Sequence, residues 1–117
     1  MILEDAKLGD YKSHLKLKPS EYFARNIRIG ASIPRREVDL RHQIGVRNLM
    51  WGSDFPHPEG TWPETAARLA SSFRGLPDEE IAAILGGNAA SLYGFDAQKL
   101  APLVARIGPE KKLFEAA

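Results

Sequence analysis

The chain has 117 residues, 44% apolar and 26% charged, with 16 basic against 15 acidic side chains and a formal charge of +1. That length suits one domain with a modest core, and the charge balance argues against a nucleic-acid surface or a membrane-binding stripe, so neither partner is expected. The absence of cysteine excludes disulfides and thiolate metal sites; with no apolar run near the ~20 residues of a membrane helix and no leader-like N-terminus, a cytoplasmic chain is expected.

Met1 to Leu17 reads as a solvated helix or a loose lead-in, with Leu8, Tyr11 and Leu15 at near-helical spacing among lysines. Pro19-Ser20 reads as a break and Glu21 to Arg25 as a single turn. Asn26 to Ile33 is a strand stopped by Pro34. Arg35 to Ile44 is a helix with Val38, Leu40 and Ile44 inward, closed by Gly45. Val46 to Trp51 is a second strand, of the apolar density a buried parallel strand needs.

Gly52-Ser53-Asp54 then ends the apolar run on a carboxylate, and Pro56 and Pro58 forbid continuation of strand or helix. Thr61-Trp62-Pro63-Glu64 has the spacing of a capping box with proline in the first helical turn. From there Trp62, Ala66, Leu69, Ala70 and Phe73 recur at helical spacing, and the helix ends at Gly75. Pro77-Asp78-Glu79-Glu80 places acids in the first turn of the next helix, which buries Ile81, Ile84 and Leu85 and stops at Gly86-Gly87. Asn88 caps a further turn to Tyr93, ended by Gly94. Asp96 starts a last helix, kinked or divided at Pro102, with Leu100, Leu103, Val104 and Ile107 apolar; Pro109 to Ala117 is expected to fray. No internal repeat or low-complexity tract is present.

The pattern is β-α-β-α followed by helices. Two parallel strands cannot cover both their faces, so the chain reads as part of a larger assembly. A carboxylate at the C-terminal end of a buried parallel strand is where α/β barrels keep their chemistry.

Ile44-Gly45-Val46 through Leu49-Met50-Trp51-Gly52-Ser53-Asp54-Phe55-Pro56-His57-Pro58-Glu59-Gly60 resembles the last barrel strand and following loop of the amidohydrolase-2 family. Gly86-Gly87-Asn88-Ala89-Ala90-Ser91-Leu92-Tyr93-Gly94-Phe95 is similar to that family's C-terminal helix signature. Pro19 to Phe23 and Ile27 to Ile33 look like the approach to strand seven. The resemblance runs from about Lys18 to Gly108 and rests on three pieces in the right order and spacing. It implies an α/β fold, a partial (β/α)8 TIM barrel of about two parallel strands with four to five helices: strand seven near 26–33, strand eight near 46–52, closing helices over 62–107.

The same resemblance implies a metal-dependent hydrolase or decarboxylase acting on a small organic substrate. Its divalent ion, zinc by first expectation, is held by histidines of earlier strands and by the aspartate after strand eight. Asp54 is the counterpart of that aspartate, as metal ligand and proton acceptor; the histidine ligands have no counterpart here. The segment by itself is therefore expected to be inactive, working in a homo-oligomer or together with the rest of the barrel. The competing expectation is a non-catalytic interaction module, or split-barrel half, that docks on a partner chain.

Read without the resemblance, Asp54 is simply a loop cap taking backbone N–H bonds. His57, held between prolines, contacts either substrate or its own loop. Glu59 is a solvated loop acid, and His14 and His42 are surface residues. Trp51 and Trp62 belong to the core rather than to a pocket. Asn88 is structural, and Ser53 lacks the Gly-x-Ser-x-Gly setting of a serine hydrolase.

Overall fold

The computed structural model describes residues 14–116, so most of the lead-in expected over Met1 to Leu17 lies outside the described residues. A helix α1, Pro19–Asn26, leads into strand β1, Ile29–Ala31. Two short helices follow, α2 at Arg35–Val38 and α3 at Arg41–Ile44. A 3-10 turn, Val46–Asn48, feeds strand β2, Leu49–Trp51. Helices α4, Thr65–Phe73, and α5, Asp78–Ala82, come next. A π turn, Ala83–Gly87, runs on into α6, Asn88–Tyr93; α7 is Ala97–Ile107, and a 3-10 turn at Lys111–Phe114 ends the fold.

β1 and β2 pair in parallel, with Ile29 opposite Leu49 and Ala31 opposite Trp51. Side chains alternate across a strand, so Ile29, Leu49 and Trp51 point to one face and Gly30 and Met50 to the other. The first face is covered. Leu49 joins Ile33, Val38, Leu69, Phe73, Ile81, Ile84 and Phe114 in one core, with Ile29 and Trp51 packed against it. The second face is bare at its glycines, where a Cβ added at Gly30 or Gly52 would meet nothing within 4 Å. An α/β unit with two parallel strands is what the sequence led one to expect.

Several local expectations are corrected. Pro19 does not break the chain but starts α1, where the missing N–H costs nothing. Glu21 accepts a 2.7 Å bond from the Lys18 amide and fixes that start. The single helix expected over Arg35 to Ile44 is two, parted where Leu40 leaves helical geometry, and Leu40 is exposed rather than inward. Both strands are shorter than read, because Asn26 belongs to α1 and Val46 to a 3-10 turn.

The Thr61 box does not cap α4. That helix starts at Thr65, and Thr61 Oγ1 instead contacts Ser53 O and Thr65 Oγ1. Trp62, ahead of the helix, is 69% exposed rather than core. Gly86-Gly87 stops nothing: the backbone passes through both in the π turn and continues as α6. Asn88 therefore has no helix to cap. Its Nδ2 reaches across to donate to Val46 O at 2.8 Å and Leu49 O at 2.7 Å, tying α6 to the start of β2. Asn48 repeats the device one strand earlier, donating to Ala24 O and Ile27 O ahead of β1.

Asp96 does cap α7, accepting from the amides of Gln98 and Lys99, and Pro102 sits inside a continuous helix. The segment after Pro109 does not fray through Phe114. Phe114 is buried in the core and its carbonyl accepts from the Gly75 amide at 2.9 Å, where Gly75 takes the positive φ that a side chain resists. Lys111 pairs with Asp78 across to α5, and that carboxylate holds the ammonium pKa above its usual range.

Candidate active site

The site forms where β2 ends. The Gly52 amide donates to Ala31 O at 3.0 Å, extending the parallel ladder by one bond, and the chain then turns away from the sheet. Asp54 makes that turn in the left-handed region, at φ 59°, the only non-glycine residue among those described to do so. Aspartate tolerates this conformation better than most side chains. The turn is held by its own backbone. Asp54 O accepts from His57 N at 2.8 Å, His57 O from Gly60 N at 2.9 Å, and Ser53 O from Thr61 N at 2.9 Å.

Gly60 is the residue on which the loop closes. A Cβ there would lie 2.9 Å from the carbonyl oxygens of Ser53, Asp54 and His57, all backbone atoms with no freedom to swing aside. Only glycine lets the three carbonyls come this close. The sequence offered one signal for it, a glycine directly before the polar start of a helix, which reads equally well as an ordinary turn.

Asp54 presents its carboxylate to solvent, with the side chain 64% exposed. It lines an open cleft of ≈ 460 Å³ together with Gly30, Ala31, Ser32 and Gly52. The cleft therefore covers the C-terminal ends of both strands on their bare face, which is where the sequence reading put Asp54. His57 stands beside it, Nδ1 being 3.5 Å from Asp54 Oδ2 and 3.3 Å from the Glu59 amide nitrogen. These two contacts ask opposite things of Nδ1. Carrying a hydrogen, Nδ1 donates toward Asp54; without one, it accepts from the Glu59 N–H and leaves Asp54 alone. Glu59 enters the site through its backbone, not its carboxylate. Phe55 and Trp62 stack edge to face over the loop at 5.9 Å, both exposed.

The remaining histidines are elsewhere. His14 is exposed. His42 Nε2 and Arg41 Nε both contact the Glu80 carboxylate at 2.5 Å, which joins α3 to α5. These two partners hold the Glu80 carboxyl below the usual carboxylate range, the His42 hydrogen bond most and that of Arg41 next. Among the described residues no three His, Asp or Glu side chains are grouped as a metal ion would require. Asp54 and His57 supply two donors at most, short of the three protein ligands of a catalytic zinc site. The described side chains do not by themselves make a complete metal centre.

No curated protein matches this sequence. The sequence model of the amidohydrolase family matches residues 24–95, from within α1 through β1, β2, the Asp54 loop and α6. That span is well over half the chain and includes every part of the site just described. The protein belongs to the amidohydrolase family.

Proposed function

We propose that this chain forms the last two strands and closing helices of an amidohydrolase-type (β/α)8 barrel, with Asp54 the proton-transfer group of a hydrolytic or decarboxylating site. One observation carries the reading. Among the described residues, one face of the sheet is open at Gly30 and Gly52, and Asp54 stands at the C-terminal end of that face. In a closed barrel this face is the interior wall and this end is the mouth. The unpaired edges of β1 and β2 are then covered by neighbouring strands, supplied by the rest of the barrel.

In hydrolysis, water adds to the carbonyl carbon of a small amide or ester while an Asp54 oxygen takes the proton that water releases. The tetrahedral intermediate then collapses, the C–N or C–O bond breaks, and the departing atom receives the same proton from Asp54. With its hydrogen on Nδ1, His57 donates toward Asp54; with Nδ1 bonded to the Glu59 amide, it leaves Asp54 free to accept. A divalent ion, zinc by the family's chemistry, would polarise the attacked carbonyl or acidify the water. Its remaining ligands would come from outside the described residues.

Asp54→Asn is the test, made in the protein carrying the whole barrel. Asparagine also tolerates the left-handed backbone, so the fold and its melting temperature stay in place. Turnover of a panel of small amides and esters should fall by about 100-fold or more, the usual scale for losing a general acid–base group. Undiminished turnover with the same pH profile would remove Asp54 from the chemistry.

A further inference from the structure

The sheet opens on a second cleft at its other end, which the hydrolytic reading does not use. At the N-terminal ends of the strands, a cleft of ≈ 250 Å³ is lined by Arg28, Arg47, Asn88, Ser91 and Leu92. Arg28 directly precedes β1 and Arg47 lies in the 3-10 turn that feeds β2. The parallel register that sets Ile29 opposite Leu49 is therefore what brings the two arginines to one opening. No carboxylate lines this opening, and neither arginine belongs to an ion pair among the described residues.

We propose that this cleft binds a small oxyanion, a phosphate group either free or carried on an ester. Two guanidinium groups facing one opening repel each other, and an anion between them turns that repulsion into attraction. The planar guanidinium fork matches a phosphate bidentately, which an ammonium does not. Arg28 is already held. Its Nη1 donates to Ile27 O at 2.8 Å and, at 3.3 Å, to Ala24 O, which leaves Nε and Nη2 for a ligand and lowers the entropy lost on binding. Arg47 spends none of its donors on the described residues. Ser91 adds a neutral hydroxyl, Leu92 an apolar edge on which an ester group can lie, and Asn88 pins this wall to β2 through Val46 O and Leu49 O. None of this depends on Asp54 or on any hydrolytic step.

The test uses the full chain at fixed ionic strength, titrated with inorganic phosphate and separately with phenyl phosphate, and followed by NMR. Saturable one-to-one binding should shift the resonances of Arg28, Arg47 and Ser91. Arg47→Gln should weaken it by about tenfold or more, the scale of one charge-assisted bidentate contact. Arg106→Gln, the same charge change on exposed α7, should leave it unaltered. Tighter binding of phenyl phosphate, with Leu92 shifted as well, marks an ester as the ligand; equal binding marks free phosphate. Non-saturating shifts, or equal weakening by Arg47→Gln and Arg106→Gln, would overturn the proposal in favour of unspecific charge attraction.

Discussion

Asn88→Ala gives the sharpest test of how the start of β2 is held against α6. The Asn88 amide donates to two carbonyls, Val46 O at 2.8 Å and Leu49 O at 2.7 Å, and Leu49 is 2% exposed. Truncation removes both bonds; Val46 O keeps the Leu49 amide as a donor, and Leu49 O is left without the side-chain donor. A buried polar group stranded in this way costs about 1–3 kcal/mol. Asn88 borders an open cleft, so water can reach part of the gap; the stranded Leu49 carbonyl at the low end of that range and the lost bond to Val46 O come to about 2 kcal/mol in all. For a domain of this size that is a fall of about 8 °C in melting temperature. Calorimetry and urea unfolding read it directly, and the denaturant slope should be unchanged because the buried surface is nearly the same. Asn88→Asp keeps the size but turns a carboxylate toward two carbonyl oxygens, and at neutral pH should be at least as unstable as the alanine variant. A shift under about 3 °C for Asn88→Ala, or an aspartate variant as stable as the parent, would refute the bridging role.

Three further outcomes are expected. Gly60→Ala pushes a Cβ to 2.9 Å from three backbone oxygens; the loop must move, at about 1–3 kcal/mol, and Asp54 moves with it, so stability and turnover should fall together, whereas unchanged values of both would show that the loop is not closely packed. Glu80 has a depressed pKa in the folded state because His42 and Arg41 bind its charged form; that contribution is present above the ordinary carboxylate pKa and is lost as pH falls through the folded value, so the slope of stability from the ordinary carboxylate pKa downward should flatten in Glu80→Gln, as urea midpoints will show. Asp96→Ala removes the side chain that caps α7, and since that helix buries none of its residues, the loss of about 1 kcal/mol should appear as faster amide exchange over Ala97–Ile107 with little change in global melting.

What the sequence determined by itself is local. An apolar run ended by glycine and a carboxylate was enough to place β2 and to put Asp54 at its C-terminal end, because buried strands and their stops are written in contiguous residues. The same holds for Asp96, whose cap lies two and three residues away, and for Gly75 and Gly94, whose positive φ values follow from ending a turn. Family membership was legible for the same reason, since the motif blocks are contiguous.

Only the tertiary structure decided the rest. Leu40 and Trp62 have core chemistry yet stand exposed, because α2 and α3 separate and α4 begins later than periodicity suggests. The tail from Lys111 to Phe114 has fraying chemistry yet is docked, because Gly75, nearly forty residues earlier, offers it an amide. Gly86-Gly87 reads as a stop, but packing against β2 carries the backbone through it. Asn88 reads as a cap, and its two partners lie 42 and 39 residues back. A side-chain amide does not declare in sequence which distant carbonyls it will satisfy. The register of β1 on β2 decides that, and the same register brings Arg28 beside Arg47 at one end and leaves Asp54 over a bare, glycine-lined face at the other.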